Sequence, residues 1–215
     1  MYFHYGFTNI EFISDMFSSK IFSEIAIIGG YGHGGNRNDV EVISIKNDSV
    51  SLINKNIPAL PEKLECFHGA RLPNGDCLVC GGRTRFDNSD DYLLYKQNTK
   101  EWTKVGKMVI PRSLHASVCI NGCTYSCGGW DSSGKRCSLH EVIDTDGVVK
   151  EKKQLPVILI DHTATKIDRN RFLIAGGWDE NVGIKIYQLK TISKVLLKKI
   201  IKLDYRYLFC FIRFK

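Results

Sequence analysis

The sequence predicts an all-β fold of repeated four-stranded antiparallel units. Three observations predict it. Gly-Gly closes an apolar run four times, at Gly29-Gly30, Gly81-Gly82, Gly128-Gly129 and Gly176-Gly177, with first-glycine spacings of 52, 47 and 48 residues. Hairpin turns recur ahead of the pairs at Asn74-Gly75 and Asn121-Gly122, and Asn-Gly favours two-residue hairpins because both residues accept positive φ. No long stretch of helical period exists before the tail. Four-stranded units of this length are the blades of a β-propeller.

The elements follow in order. In each unit two strands form a hairpin, and the second ends at the glycine pair. A loop leads to a third strand, such as Asp91–Tyr95 or Leu139–Ile143. A fourth follows at Thr99–Trp102 or Val148–Lys150. Pro61, Pro111 and Pro156 fall between units, where a chain leaves one sheet for the next. The blades are expected at residues 22–62, 64–110, 111–157 and 158–204. Residues 1–21 then supply a weak N-terminal segment that can hold the first strand of blade 1. Residues 205–215 form a basic tail whose Arg206-Tyr207-Leu208-Phe209 sits two periods beyond Arg112-Ser113-Leu114-His115, so it reads as the cut-short start of a fifth repeat. His68, His115 and His162 are 47 residues apart, and each is expected to bond within its own blade.

The pattern resembles the kelch repeat: the Pro111-Arg112 start, the His-bearing strand, the glycine pair, then Tyr95 and Trp102 seven residues apart. The second and third copies are the most complete, while the first lacks the His and the Trp and the fourth lacks the Trp. The resemblance implies a kelch-type propeller in which Tyr95 and Trp102 pack in the core. Kelch rings usually close with five to seven blades, so four imply an incomplete ring, a piece of a longer protein; an open arc that pairs with another copy and a small four-bladed ring are the alternatives. An open arc exposes strand edges through which copies can self-associate.

Composition narrows the function. The formal net charge is +7, but residues 190–215 hold eight Lys/Arg against Asp204, so residues 1–189 are balanced. Only the tail could suggest nucleic acid, and a solvated lysine face explains it, so no nucleic-acid partner is expected. No apolar run reaches the roughly 18 residues of a membrane span. The first twenty residues lack a basic start and an apolar block, so they do not read as a secretory signal. A cytoplasmic, reducing location is expected, with the eight Cys as free thiols.

Cys77 and Cys80 have zinc-knuckle spacing. On a strand, however, residues three apart face opposite ways and cannot share a metal. Cys119, Cys123 and Cys127 are likewise read as buried small hydrophobes. Gly30-Tyr31-Gly32-His33-Gly34-Gly35 matches G-x-G-x-x-G, but the strand-like Asp39–Ile45 follows it, where a dinucleotide site needs a helix. Neither a metal nor a cofactor is expected.

The loops after the glycine pairs differ between copies, and variable loops on a repeated scaffold are where binding is placed. Tyr31, Arg83, Arg85, Trp130 and Trp178 are the candidate partner-binding residues. The resemblance places Arg83 where some kelch adaptors grip an acidic peptide, and Arg presents a fork to carboxylates. A non-enzymatic module that binds a protein peptide or loop is expected. The resemblance offers substrate recognition for a cullin-type ubiquitin ligase, with a BTB domain elsewhere, or an actin-linked scaffold. A propeller oxidase or sugar isomerase would need converging metal ligands that the sequence does not assemble, with His4 and His33 both in the weak first copy. A non-functional gene fragment is the remaining reading.

Overall fold

The computed structural model describes residues 23–46, 49–54, 56–144, 146–155, 158–178, 184–190 and 198–203. They form strands and connecting loops, and no helix occurs among them. The first sheet holds β1 (Ser23–Gly32), β2 (Gly35–Lys46) and β3 (Ser49–Ile53), in that order. The second holds β4 (His68–Arg71), β5 (Cys77–Cys80), β6 (Asp91–Lys96) and β7 (Glu101–Lys107). A short pair, β8 (Arg112–Ser113) and β11 (Trp130–Asp131), flanks the third sheet. That sheet holds β9 (Ala116–Ile120), β10 (Cys123–Cys127), β12 (Leu139–Ile143) and β13 (Val149–Gln154). The fourth holds β14 (Ile160–Asp168), β15 (Arg171–Trp178), β16 (Ile184–Lys190) and β17 (Lys198–Leu203).

Every strand pairing within the four sheets is antiparallel and joins chain neighbours. In the first sheet the glycine pair lies in β1, so the three described strands take the second to fourth blade positions. The expected first strand within residues 1–21, and the tail 205–215, lie outside the described residues. First strands of successive blades pack side by side, β4 against β9 and β9 against β14. The ring is not closed among the described residues.

Three apolar layers separate the four sheets. Ile28, Leu60, Leu64, Phe67, Cys77, Val79 and Leu93 fill the first, flanked by Tyr95 and Trp102. Leu72, Leu78, Cys80, Tyr92, Leu94, Met108 and Ile143 fill the second. The third is built on Ala116, Val118, Tyr125, Cys127, Leu159, Phe172 and Ile174. β5 is buried at all four residues. Alternation along a strand therefore feeds two different cores, Cys77 and Val79 into one and Leu78 and Cys80 into the other. Tyr95 and Trp102 face each other across β6 and β7 with ring centroids 5.2 Å apart.

The backbone repeats in detail. The second, third and fourth blades each begin with a residue at positive φ: Cys66 at 52°, Leu114 at 54° and Asp161 at 55°. The Leu114 N–H donates to the Cys66 carbonyl and the Asp161 N–H to the Leu114 carbonyl, both at 2.9 Å. The amides of Gly30, Gly82 and Gly129 donate across the blade boundary to the carbonyls of Leu64, Arg112 and Leu159. Consecutive blades are thus joined by main chain as well as by side chains.

This register corrects one expectation. The residue three beyond Leu64, Arg112 and Leu159 is Phe67, His115 and His162. His68 is the next position, opposite Cys80, where the third blade has Ala116 opposite Cys127. The cause is the hairpin. Leu72 N–H bonds Asp76 O around Pro73-Asn74-Gly75, while Ile120 pairs Cys123 around Asn121-Gly122 alone. The extra loop residue shifts His68 relative to His115, and the equal spacing in sequence conceals the shift.

Gly128 shows why the pair resists substitution. Its φ is +70°, and a Cβ there would lie 2.4 Å from the Leu159 carbonyl oxygen and 2.6 Å from His162 Cε1 of the next blade. Gly134 has φ +74° with open space around it. Gly134→Ala should cost about 1 kcal/mol of backbone strain, and Gly128→Ala about 2–5 kcal/mol, because strain and overpacking add. Urea denaturation of both variants checks the difference.

Candidate interaction face

Four of the five candidate residues hold one position in their blades. Tyr31, Arg83, Trp130 and Trp178 each follow a glycine pair directly. Arg83 bridges Glu65 and Trp130 pairs with Ser113, each ahead of its blade's first strand, while Trp178 pairs with Ile160 at the end of the β14–β15 ladder. The side chain of Trp178 lies outside the described residues. Tyr31 is 62% exposed, and Trp130 is half-buried with the Arg136 guanidinium 5.8 Å from its ring centroid.

The loops are tied to one another. Asn36 Nδ2 of the first blade donates to the Arg83 carbonyl at 2.8 Å. Asn88 Nδ2 of the second blade donates to the Trp130 carbonyl at 3.0 Å. Asn36 pairs with Tyr31 just as Asn88 bridges Arg83, so the two asparagines hold the same place. The loops of the first three blades therefore form one continuous face. Sequence reading passed over these asparagines, although their matching offset of six residues from the second glycine was a visible signal.

The two arginines differ. Arg83 Nε donates to Glu65 Oε1 at 2.8 Å, and its Nη2 lies 2.6 Å from the same oxygen. Glu65 is buried while Arg83 is about half exposed. The Arg83 guanidinium thus faces a carboxylate of its own blade while remaining half exposed. Arg85 is exposed, its guanidinium 6.0 Å from the ring centroid of Phe86, and Phe86 is 91% exposed. Thr84 and Asp87 fix this loop: the Thr84 N–H and hydroxyl both donate to the Asp87 carbonyl at 2.9 Å.

Behind the face lies a buried polar cluster. Cys80 Sγ is 3.3 Å from His115 Nε2, 3.1 Å from Ser117 Oγ and 3.5 Å from Ser126 Oγ. The next blade boundary repeats the motif, with Cys127 Sγ 3.8 Å from His162 Nε2. The expectation of a histidine bonded within its own blade is corrected for His115 and His162, which reach back to the preceding blade, whereas His68 Nδ1 lies 3.2 Å from the Gly69 carbonyl of its own. His68 Nδ1 accepts from the Ser117 N–H of the following one at 3.0 Å. Burial pushes the Cys80 thiol up and the Cys127 thiol to about 12, and it pushes the His115 imidazole well below its usual range and His162 to about 3. Thiol and imidazole both stay neutral, the opposite of the thiolate–imidazolium pair of a nucleophile. No group of three or more metal-ligating side chains occurs among the described residues. The segment after Gly30–Gly35 is β2, so no helix N-terminus faces that turn.

Comparison with known proteins matches this geometry. The family model of the kelch motif matches residues 111–147. An F-box/kelch-repeat protein of Arabidopsis thaliana is 30% identical over 131 residues, covering 57% of this chain and 32% of its own length. The solved structure of YjhT superposes with a TM-score of 0.69 at 11% identity, covering 88% of this chain and 64% of that one. At that identity the likeness concerns fold. The chain spans about a third of its plant relative and under two thirds of YjhT. The matched motif and the recurring blade geometry agree: residues 111–147 carry a kelch motif, and the four sheets are similar in fold to the propeller blades of YjhT.

Proposed function

We propose that this chain is a non-enzymatic binding module whose glycine-pair loops recognise an acidic segment of a partner protein. The observation that carries the reading is the Arg85–Phe86 tip. It presents a cation with no ion pair among the described residues, beside a ring exposed at 91%, on loops braced by Asn36 and Asn88. Arg and aromatic residues supply most interface hot spots, and bracing lowers the ordering cost of binding. Tyr31 and Trp130 extend the surface. Arg83 supports the loop through Glu65 rather than acting as the anchor.

The plant relative's name pairs the kelch repeat with an F-box, which favours substrate recognition in a cullin-type ubiquitin ligase in the cytoplasm over an actin scaffold. An F-box then takes the place that the sequence reading gave to a BTB domain.

The test is binding to an immobilised array of peptides carrying paired Asp or Glu with an aromatic or aliphatic neighbour. Arg85→Ala with Phe86→Ala should weaken the best binder about tenfold or more. Arg83→Lys should weaken it less. Affinity unmoved by the double change, or no binder on the array, overturns the reading.

A further inference from the structure

Glu65 is the buried half of an ion pair whose other half faces water. Its side chain is 8% exposed, and that of Arg83 is 46% exposed. The two residues lie directly opposite each other. The Glu65 N–H donates to the Arg83 carbonyl at 3.0 Å, and the Arg83 N–H to the Glu65 carbonyl at 2.7 Å. Residues paired in this way send their side chains to the same side of the ladder. Arg83 Nε and Nη2 then converge on one oxygen, Glu65 Oε1. One edge of the guanidinium fork, of the kind that grips a carboxylate at two points, is filled from inside the protein. Asn36 of the first blade holds the Arg83 carbonyl, so the pair is fixed at the junction of two blades.

The fold does not demand this carboxylate. Ser113 stands at the same place opposite Trp130, and Ile160 opposite Trp178. A buried carboxylate carries a desolvation cost that serine and isoleucine do not. The pair also stands on the face itself, two residues before Arg85, whose guanidinium has no ion pair among the described residues and lies 6.0 Å from the Phe86 ring centroid.

We propose that Glu65 sets the specificity of this face: it occupies Arg83 in advance, so the face reads one carboxylate of an acidic segment, through Arg85, and gains little from a second. The inference rests on the reading of the face as a site for acidic segments, and it names which acids of the segment count. A second acid arriving at Arg83 competes with a carboxylate that the ladder already holds in place, and it meets that carboxylate's like charge. A segment with two neighbouring acids then has no advantage over a segment with one acid beside an apolar side chain.

The test uses the 215-residue chain and capped peptides of the array that carry Asp-Asp, each with two twins in which one Asp or the other is replaced by Asn. Affinities are measured by fluorescence anisotropy. For the unaltered chain, one twin should bind about tenfold more weakly than its parent, and the other should stay within about twofold of it. Glu65→Gln keeps the side-chain shape and releases Arg83. The parent should then bind about tenfold more tightly, and both twins should be clearly weaker than the parent. Adding Arg83→Gln to Glu65→Gln should restore the one-acid pattern, which a general disturbance of the loop would not do. Glu65→Ser, which matches the third blade at this place, repeats the measurement should the first variant misfold. If no Asp-Asp peptide binds the unaltered chain, the reading of the face falls and this inference falls with it. If the peptides bind but both acids already count in the unaltered chain, or if releasing Arg83 leaves the pattern unchanged, this inference alone is overturned.

Discussion

Removing either partner of the Arg112–Glu141 ion pair should cost about 3–5 kcal/mol, while replacing both by leucine should be near neutral or stabilising. Both side chains are fully buried. Arg112 Nη1 also donates to the Leu139 carbonyl at 2.7 Å and the Gly128 carbonyl at 3.3 Å, and Glu141 Oε2 accepts from the Val109 N–H at 2.8 Å. A lone survivor would be an uncompensated charge in an apolar layer, which is where the single-variant cost arises. The chain contains its own control. The blade register places Leu64 where Arg112 stands and Leu93 where Glu141 stands, and both leucines belong to the first interblade core. Urea unfolding of Arg112→Leu, Glu141→Leu and the double variant closes a double-mutant cycle. Two single changes that are each mild and additive would show that the pair is not coupled.

The second large effect is acid sensitivity above the carboxylate range. Burial holds His68 down at about 4, His162 at about 3, and His115 well below its usual range. In the unfolded chain all three titrate near pH 6.5. Between about pH 6.5 and 4 the unfolded state therefore binds more protons, so stability is full above that window and falls as pH drops through it. Each histidine contributes a slope of up to about 1.4 kcal/mol per pH unit. The lowered carboxyls of Asp90, Asp131 and Asp168 act in the same direction, but only as pH falls through and below the usual carboxylate range near 3.8. Urea midpoints measured from pH 7 to 4.5 should fall steeply, and His162→Gln should remove about one histidine's share of the slope. A midpoint level across that range would contradict the buried neutral imidazoles.

Legibility in the sequence followed locality. The glycine pairs, β6, β12 and the strand after Gly35 could be read because hairpin turns and two-residue alternation are local signals. The same rule sent Cys77 and Cys80 to opposite cores. The residues after the glycine pairs were legible as equivalent because the pair is a fixed landmark. Three features were not legible, each for a physical reason. A one-residue difference in a hairpin loop displaced His68 while leaving the numerical period intact. Glu65, 18 residues before Arg83, becomes its ion partner only when a short ladder folds back. Arg112 looked like the ordinary opening of a repeat, and only β12 brings Glu141 to it.

The hydrogen bonds from Leu114 to Cys66 and from Asp161 to Leu114 bear on how such a chain can lengthen or shorten. Among the described residues the third and fourth units each contribute one amide to the unit before, and the second and third each offer one acceptor to the unit after. Duplicating or deleting a whole period of 47–48 residues therefore leaves each interior amide matched, wherever the splice begins. Gaining or losing part of a period leaves an N–H without its partner carbonyl and breaks the sequence of hand-overs. Growth by complete modules is in this sense written into the main chain, independently of any side chain that later makes one copy differ from another.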